Sequence, residues 1–205
     1  MVTQYAFLVN SDACSGCKTC QVACKDGHDL PAGVHWRKVY EVTAGGWQKK
    51  EDAWISTVAA YNLSVACNHC MDPPCAPACS AQAIWKREDG IIFIDESRCN
   101  RCHKCEPECP YSAIRFDMVS NTVAKCDFCA DYLDRGLPPA CVAACPNRAL
   151  DFGDYEQLAR KYGNANQIFP LPSPLAARPA LIIIPHRNAA LIQNQNPQVA
   201  NWEEL

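Results

Sequence analysis

The chain has 205 residues, a formal net charge of −3 and 16 cysteines. This length suits one domain or two small ones, and the weak, scattered charge argues against a nucleic-acid-binding face. The longest aliphatic run, "ALIIIP" near residue 182, is far too short to cross a bilayer, so the sequence predicts no membrane span of its own.

The N-terminal segment "MVTQYAFLVNSDAC" has no basic region followed by a long apolar stretch, and no twin arginine. It therefore predicts a soluble chain without an export signal of its own. Alternation within "QYAFLVNSDAC" predicts a short strand that leads into the first cysteines. Since disulfides persist in oxidising compartments and usually accompany a secretory signal, metal binding is the better explanation for so many cysteines.

The cysteines fall into four groups of four, and none is left over. The groups are Cys14, Cys17, Cys20 and Cys24; Cys67, Cys70, Cys75 and Cys79; Cys99, Cys102, Cys105 and Cys109; and Cys126, Cys129, Cys141 and Cys145. The first and third groups share the spacing C-x2-C-x2-C-x3-C. The other two keep its ends and lengthen its middle gap, which indicates an internal repeat of the ferredoxin type.

The spacing favours iron over zinc. Structural zinc sites use two cysteine pairs separated by a longer span, usually with some histidine. Three cysteines at two-residue intervals, followed by a fourth and a proline, are typical of bacterial iron–sulfur proteins. With sixteen cysteines as ligands, four [4Fe–4S] clusters fit better than a set containing a three-iron centre.

The fourth cysteine of each group is expected to leave the site of the first three. Cys105 and Cys109 lie four residues apart, on one face of a helix that Pro110 would end. In two-cluster ferredoxins the fourth cysteine ligates the other cluster. Spacing alone leaves two arrangements open: a nested pairing of group one with four and two with three, or an adjacent pairing of one with two and three with four.

Other segments predict smaller elements. "GIIFIDESRC" predicts a strand before the third group, "AGGWQ" a turn, and "DYEQLARKYG" a short helix ended by Gly163. Residues 164–205 are rich in Pro, Asn and Gln, yet "PALIIIP" favours burial. This segment is expected to form an extended arm packed on a partner subunit.

Histidines and basic residues accompany the cysteines. His69 and His103 lie inside cysteine groups, but four thiols already serve each cluster, so both are expected to be neighbours of the clusters rather than ligands. Basic side chains near clusters would raise their potentials, although most are expected to be ordinary solvated groups. These residues are Lys18, Lys25, Arg98, Arg101, Lys104 and Lys125.

The sequence resembles the iron–sulfur subunits of molybdopterin oxidoreductases, and within them the B subunits of the dimethyl sulfoxide reductase branch. The resemblance runs nearly end to end. It is carried by the segments "CSGCKTCQVACKD", "YEVTAGGW", "CNHCMDPPC", "KREDG", "CPYSAI", "KCDFC" and "CPNRALDFG".

The resemblance implies the nested pairing. The implied ligand sets are Cys14, Cys17, Cys20 and Cys145 for cluster 1; Cys67, Cys70, Cys75 and Cys109 for cluster 2; Cys99, Cys102, Cys105 and Cys79 for cluster 3; and Cys126, Cys129, Cys141 and Cys24 for cluster 4. We expect a loop-rich α+β fold of two bacterial-ferredoxin-like modules with an extended C-terminal arm. The outer module would use residues 1–60 and 115–150, the inner one residues 61–114, and the helix and arm residues 151–205.

The resemblance also implies a role in electron transfer rather than catalysis. The chain would carry electrons between a molybdopterin-containing catalytic subunit and an integral membrane, quinone-reactive subunit. Alternatives are the same role beside a sulfite, tetrathionate, polysulfide or arsenic-linked enzyme or a hydrogenase, or a free polyferredoxin. The expected location is the periphery of the cytoplasmic membrane, on the cytoplasmic side or on the periplasmic side through a partner's twin-arginine signal.

Overall fold

The computed structural model describes residues 3–119, 121–173 and 177–205, which form short helices and strands joined by long loops. The strands are β1 Tyr5–Asn10, β2 Lys38–Ala44, β3 Trp47–Lys50, β4 Ala53–Ser56, β5 Ala59–Val65, β6 Ile84–Lys86, β7 Ile92–Ile94, β8 Arg115–Asp117, β9 Thr122–Ala124, β10 Leu150–Asp154, β11 Leu181–Ile184 and β12 Gln198–Val199. The helices are α1 Thr19–Gly27, α2 Cys105–Glu108, α3 Ala130–Asp134, α4 Ala140–Ala143, α5 Tyr155–Tyr162 and α6 Ala189–Gln193, with a 3-10 turn at Trp202–Glu204.

The central sheet has the order β10-β1-β11 and confirms the strand predicted before the first cysteine group. Strand β1 pairs antiparallel with β10 and parallel with β11. Its side chains alternate between two apolar layers: Leu8 packs on the side of α5, whereas Phe7 and Val9 face the main core. The strand forms where predicted, but it is continuously apolar rather than alternating, because both of its faces are buried.

A second sheet, of order β12-β2-β5, packs in the same main core. Three two-stranded hairpins complete the β-structure of the described ranges: β3–β4, β6–β7 and β8–β9. The turn predicted at "AGGWQ" joins β2 to β3, and the strand predicted before the third cysteine group is β7. Mixed helices, small sheets and long loops agree with the expected α+β class.

The division into two modules remains a prediction. The largest apolar cluster combines side chains from both proposed modules, for example Val9 and Phe128 from the outer one with Val65 and Ala113 from the inner one. A smaller cluster surrounds Ile92 near the second and third cysteine groups. The two proposed modules therefore share a continuous apolar core.

The C-terminal segment differs from the expected extended arm. Helix α5 forms as predicted: Asp154 accepts a hydrogen bond from the Gln157 backbone, and Gly163 follows the last turn at φ +85°. The apolar run then becomes β11, where Ile182 is 0% exposed within the chain itself. The apolar strand β1 supplies the pairing partner that the sequence assigned to another subunit. Residues 174–176 of the expected arm lie outside the described residues.

The end of the chain returns to the second sheet. Strand β12 pairs with β2, and Asn201 fixes the final turn by donating to the Val39 carbonyl and accepting from the Glu41 amide, both at 2.9 Å. Among the described residues, no helix combines the length and apolarity needed to cross a membrane.

Candidate metal centres

Cys14, Cys17 and Cys20 lie close to Cys145, as one of the predicted ligand sets requires. All four line the same pocket. A tight loop presents the first three: Gly16 has φ +72°, and a Cβ there would lie 2.6 Å from the Asn62 side chain. Helix α1 then starts at Thr19 and carries Cys20 inward.

Helix α1 carries the last cysteine of the first group away from this cavity and towards α4, which it contacts. Burial raises the pKa of the Cys24 thiol to about 12, against a lowering effect of Arg37, and Cys141 and Cys129 lie near enough to raise it further. Burial, followed by the nearby Cys24 thiol, raises the pKa of Cys126. The structure thus brings together the set Cys24, Cys126, Cys129 and Cys141.

The remaining two sets also gather. Burial, followed by the charges of Cys67, Cys109 and Cys75, raises the pKa of Cys70, which places the last cysteine of the third group among the first three of the second. The first three cysteines of the third group and the last cysteine of the second line another pocket. Its thiols belong to Cys79, Cys99, Cys102 and Cys105.

The donor chemistry fits iron–sulfur clusters. All sixteen cysteines lie in the described residues as free thiols, and each of the four gatherings offers four soft sulfur ligands, as a [4Fe–4S] cluster requires. Burial raises the pKa of Cys75 and Cys129 to about 12 and that of Cys105 to about 11. Metal binding must therefore displace protons from these thiols.

Backbone amides point at the sulfur of the cysteine that ends a group, a feature that the spacing did not reveal. Ala83, Ala113 and Ala149 each donate a backbone N–H to the sulfur four residues earlier, at 3.3 to 3.4 Å. The sulfurs belong to Cys79, Cys109 and Cys145. Hydrogen bonds to cluster sulfurs stabilise negative charge and raise cluster potentials.

The two predicted histidines have different surroundings. His69 is completely buried, and its Nδ1 accepts a 3.0 Å hydrogen bond from the Ile92 amide. Burial, then the charges of Lys125, Lys86 and Arg37, holds its pKa well below the usual range, so the ring is neutral. His103 is exposed and lies 2.5 Å from Glu106.

A third histidine was missed by the sequence prediction. His28 Nε2 lies 3.2 Å from the sulfur of Cys129 and 3.8 Å from Asp127. These three groups are close enough to share a metal ion. Because Cys129 already belongs to a set of four thiols, the geometry fits a hydrogen-bond partner of that sulfur. Separation by 101 residues along the chain hid this contact from the sequence.

Among the described residues, three lysine or arginine side chains are buried rather than solvated: Arg37, Lys38 and Lys125. Lys125, which sequence reasoning grouped with mostly solvated residues, donates to the carbonyl oxygens of Ile92 and of Cys126, the latter at 3.0 Å. Arg37 was not singled out at all, yet it is only 1% exposed. Nothing in its local sequence "HWRKVY" distinguishes it from its neighbour Lys38.

Comparison with known proteins agrees with this site chemistry. Residues 58–155 match the model of the 4Fe-4S dicluster domain. The whole chain is 41% identical, over 205 residues and the full length of both proteins, to the B subunit of anaerobic dimethyl sulfoxide reductase from Escherichia coli strain K12.

More distant relatives have related names. The B subunit of polysulfide reductase from Wolinella succinogenes is 32% identical over 93% of this chain and 99% of its own length. The B subunit of tetrathionate reductase from Salmonella typhimurium is 39% identical over 74% of this chain and 58% of its own length. With four sets of four thiols and end-to-end similarity, this protein belongs to the family of iron–sulfur B subunits of dimethyl sulfoxide reductases.

Proposed function

We propose that the chain is an electron-transfer subunit that carries four [4Fe–4S] clusters between a molybdopterin-containing catalytic subunit and a quinone-reactive membrane subunit. The observation that carries this proposal is the gathering of sixteen free cysteines into four sets of four. The clusters supply one-electron redox chemistry. The protein holds them in place and tunes their potentials through hydrogen bonds, burial and charge.

We assign the ligands by the nested pairing. In each pair of groups, the fourth cysteine of one group completes the set of the other: Cys145 joins the first group, Cys24 the fourth, Cys109 the second and Cys79 the third. The shared cavities support the first and last of these assignments. The mutual effects of neighbouring thiols on pKa support the other two. The adjacent pairing would instead require the fourth cysteines of groups one and two to lie beside each other's first three, and likewise those of groups three and four.

Exposed tryptophans support a fixed complex rather than a free carrier. Trp47 and Trp54 are 66% and 65% exposed on the β3–β4 hairpin, and Trp202 is 62% exposed near the C-terminus. An isolated two-stranded hairpin is marginally stable in water, and large exposed apolar groups mark protein interfaces. Each relative is named as one lettered component of a reductase, which agrees with a complex.

Within such a complex the protein would be peripheral to the cytoplasmic membrane and not catalytic on its own. The named relatives also provide the second candidate, the same electron-transfer role in a tetrathionate or polysulfide reductase. The substrate of the proposed catalytic partner distinguishes these two possibilities, because the chemistry of the cysteine sites is the same in both.

The test is anaerobic purification from the native host, followed by iron and sulfide analysis and electron paramagnetic resonance. Four clusters of four irons predict about sixteen irons per chain. We expect a co-eluting pterin-bearing subunit. The Cys17→Ser variant should alter one cluster signal, whereas Ser56→Ala, on the exposed β3–β4 hairpin, should alter none. Iron for fewer than three clusters, or a monomer without a pterin-bearing partner, would contradict the proposal.

A further inference from the structure

Arg37 is a charged side chain in the middle of the apolar core. It is only 1% exposed, and its guanidinium carbon lies 4.5 Å from the centre of the Phe7 ring. Phe7 in turn stacks at 4.0 Å on Phe128, which lies between the first two cysteines of the fourth group. The cation–π contact holds the guanidinium against β1. Arginine keeps its charge in proteins, so a permanent positive charge lies inside the molecule.

One end of the guanidinium is connected to a proposed cluster ligand. Arg37 Nη1 donates to Ser64 Oγ at 3.2 Å, and the same hydroxyl lies 3.3 Å from the sulfur of Cys20. Arginine can only donate, so the hydroxyl accepts from it and keeps its own hydrogen for the sulfur. The result is a chain of polarised groups from Arg37 through Ser64 to Cys20.

The rest of the guanidinium has unused donors. Nε and Nη2 are buried and have no hydrogen-bond partner among the described residues. A buried charge with unpaired donors is strongly unfavourable unless an opposite charge compensates it. Burial alone would lower the pKa of Arg37, but the thiols of Cys141, Cys20, Cys126 and Cys24 raise it above its usual value. These cysteines belong to the first and fourth sites, so the charge lies within reach of both.

We propose that Arg37 is a positioning residue shared by clusters 1 and 4, where its buried charge raises the reduction potentials of both and its bond to Ser64 gives cluster 1 an additional contribution. This inference deepens the proposed function and rests on its four clusters and nested ligand sets. One-electron reduction adds one negative charge to a cluster, and a nearby fixed positive charge favours that state. The proposed role moves no proton and forms no covalent bond.

The experiment uses the full chain, purified anaerobically with its clusters, and compares four variants with the wild type. Arg37→Gln removes the charge, Arg37→Lys keeps it, and Ser64→Ala removes only the link to Cys20. Arg160→Gln is the control, since Arg160 lies on the surface of α5 and bonds within that helix. Iron analysis comes first, followed by redox titration monitored by electron paramagnetic resonance.

Individual clusters are identified with ligand variants. Cys17→Ser marks the signals of cluster 1, Cys24→Ser those of cluster 4, and Cys102→Ser those of cluster 3. We expect Arg37→Gln to lower the reduction equilibrium constants of clusters 1 and 4 about tenfold each, or about 59 mV. The other two clusters should change less, since the cysteines that act on Arg37 belong to the first and fourth sites. Arg37→Lys should keep the reduction potentials close to those of the wild type. Ser64→Ala should lower the potential of cluster 1 only, and Arg160→Gln should lower the potential of no cluster.

Unchanged reduction potentials of clusters 1 and 4 in Arg37→Gln, or equal shifts at all four clusters, would overturn the role assigned to Arg37. If Arg37→Gln assembles only clusters 2 and 3, the Arg37→Lys variant shows whether the charge is needed. Assembly of clusters 1 and 4 in Arg37→Lys supports a role for the charge, and their loss in that variant too overturns the proposal. A wild-type chain with iron for fewer than three clusters contradicts the proposed function instead. A fully loaded chain with unaltered potentials contradicts only the role of Arg37.

Discussion

Ile182→Ala tests whether β11 is part of the folded core of this chain. The sequence had instead suggested that this segment packs on a partner subunit. Ile182 is 0% exposed and packs with Ala6, Leu8, Leu158 and Ala180 on the α5 side of the central sheet. The substitution removes three buried carbons. At about 0.8 kcal/mol for each, the lost transfer free energy is roughly 2.4 kcal/mol, and the remaining cavity increases the loss to about 3 kcal/mol.

The assay is thermal unfolding of the isolated chain with its clusters, followed by circular dichroism at one fixed scan rate, since cluster loss makes unfolding irreversible. For a chain of this size, about 3 kcal/mol corresponds to a decrease of roughly 6–12 °C in Tm. Leu191→Ala is the control: this side chain is 51% exposed on α6, so its loss should change Tm little. Equal, small effects of both substitutions would refute the placement of β11.

Three further predictions concern stability. Asp154→Ala should lower the free energy of unfolding by about 1 kcal/mol, since the Asp154 side chain caps α5. Burial raises the pKa of Asp154, but hydrogen bonds from Thr3 and Gln157 outweigh it and hold the pKa below its usual value. Its contribution is therefore present above about pH 4 and lost as the pH falls further, so Tm values of the wild type and Asp154→Asn should converge at low pH, and a constant gap would contradict this. Gly45→Ala should lower the free energy of unfolding, measured by chemical denaturation, by roughly 3 kcal/mol, and Gly33→Ala by roughly 1 kcal/mol. Both glycines have φ +80°, but of the two only Gly45 would bring a Cβ into collision with a backbone carbonyl. Equal losses at the two positions would refute this reasoning. Anaerobic removal of iron by a chelator should lower Tm, because the metal holds segments far apart in sequence; an unchanged Tm would mean that the clusters do not stabilise the fold, and added Zn²⁺ should not restore the visible absorption.

Local features could be predicted from the sequence because local chemistry fixes them. The spacing of the cysteines limits which thiols one loop can present together, and it defines the four groups. The segment before Cys14 predicted β1, although by an alternation that the strand does not have, and the sequence from Asp154 to Gly163 predicted the start and end of α5. Each of these features depends on neighbours within a short stretch of chain, so the amino-acid order carries the information directly.

Other features depend on contacts between distant segments. The sequence alone could not show that "LIII" pairs with β1, which lies at the other end of the chain, because an apolar strand is compatible with any apolar partner. Nor could it show that the guanidinium of Arg37 lies against Phe7 and Ser64, since these contacts depend on how β1 and β5 are placed around it; the neighbouring Lys38 is buried as well.

The cysteine pattern therefore determined the ligand chemistry and the number of sites that the chain can form. It left open which fourth cysteine lies beside which three, because a short helix can lead to more than one neighbouring site. The packing of α1 against α4 brings Cys24 near Cys141, which supports the proposed nested pairing. The same packing encloses the guanidinium of Arg37 between two cysteine sites, a position that depends on tertiary contacts and not on local sequence.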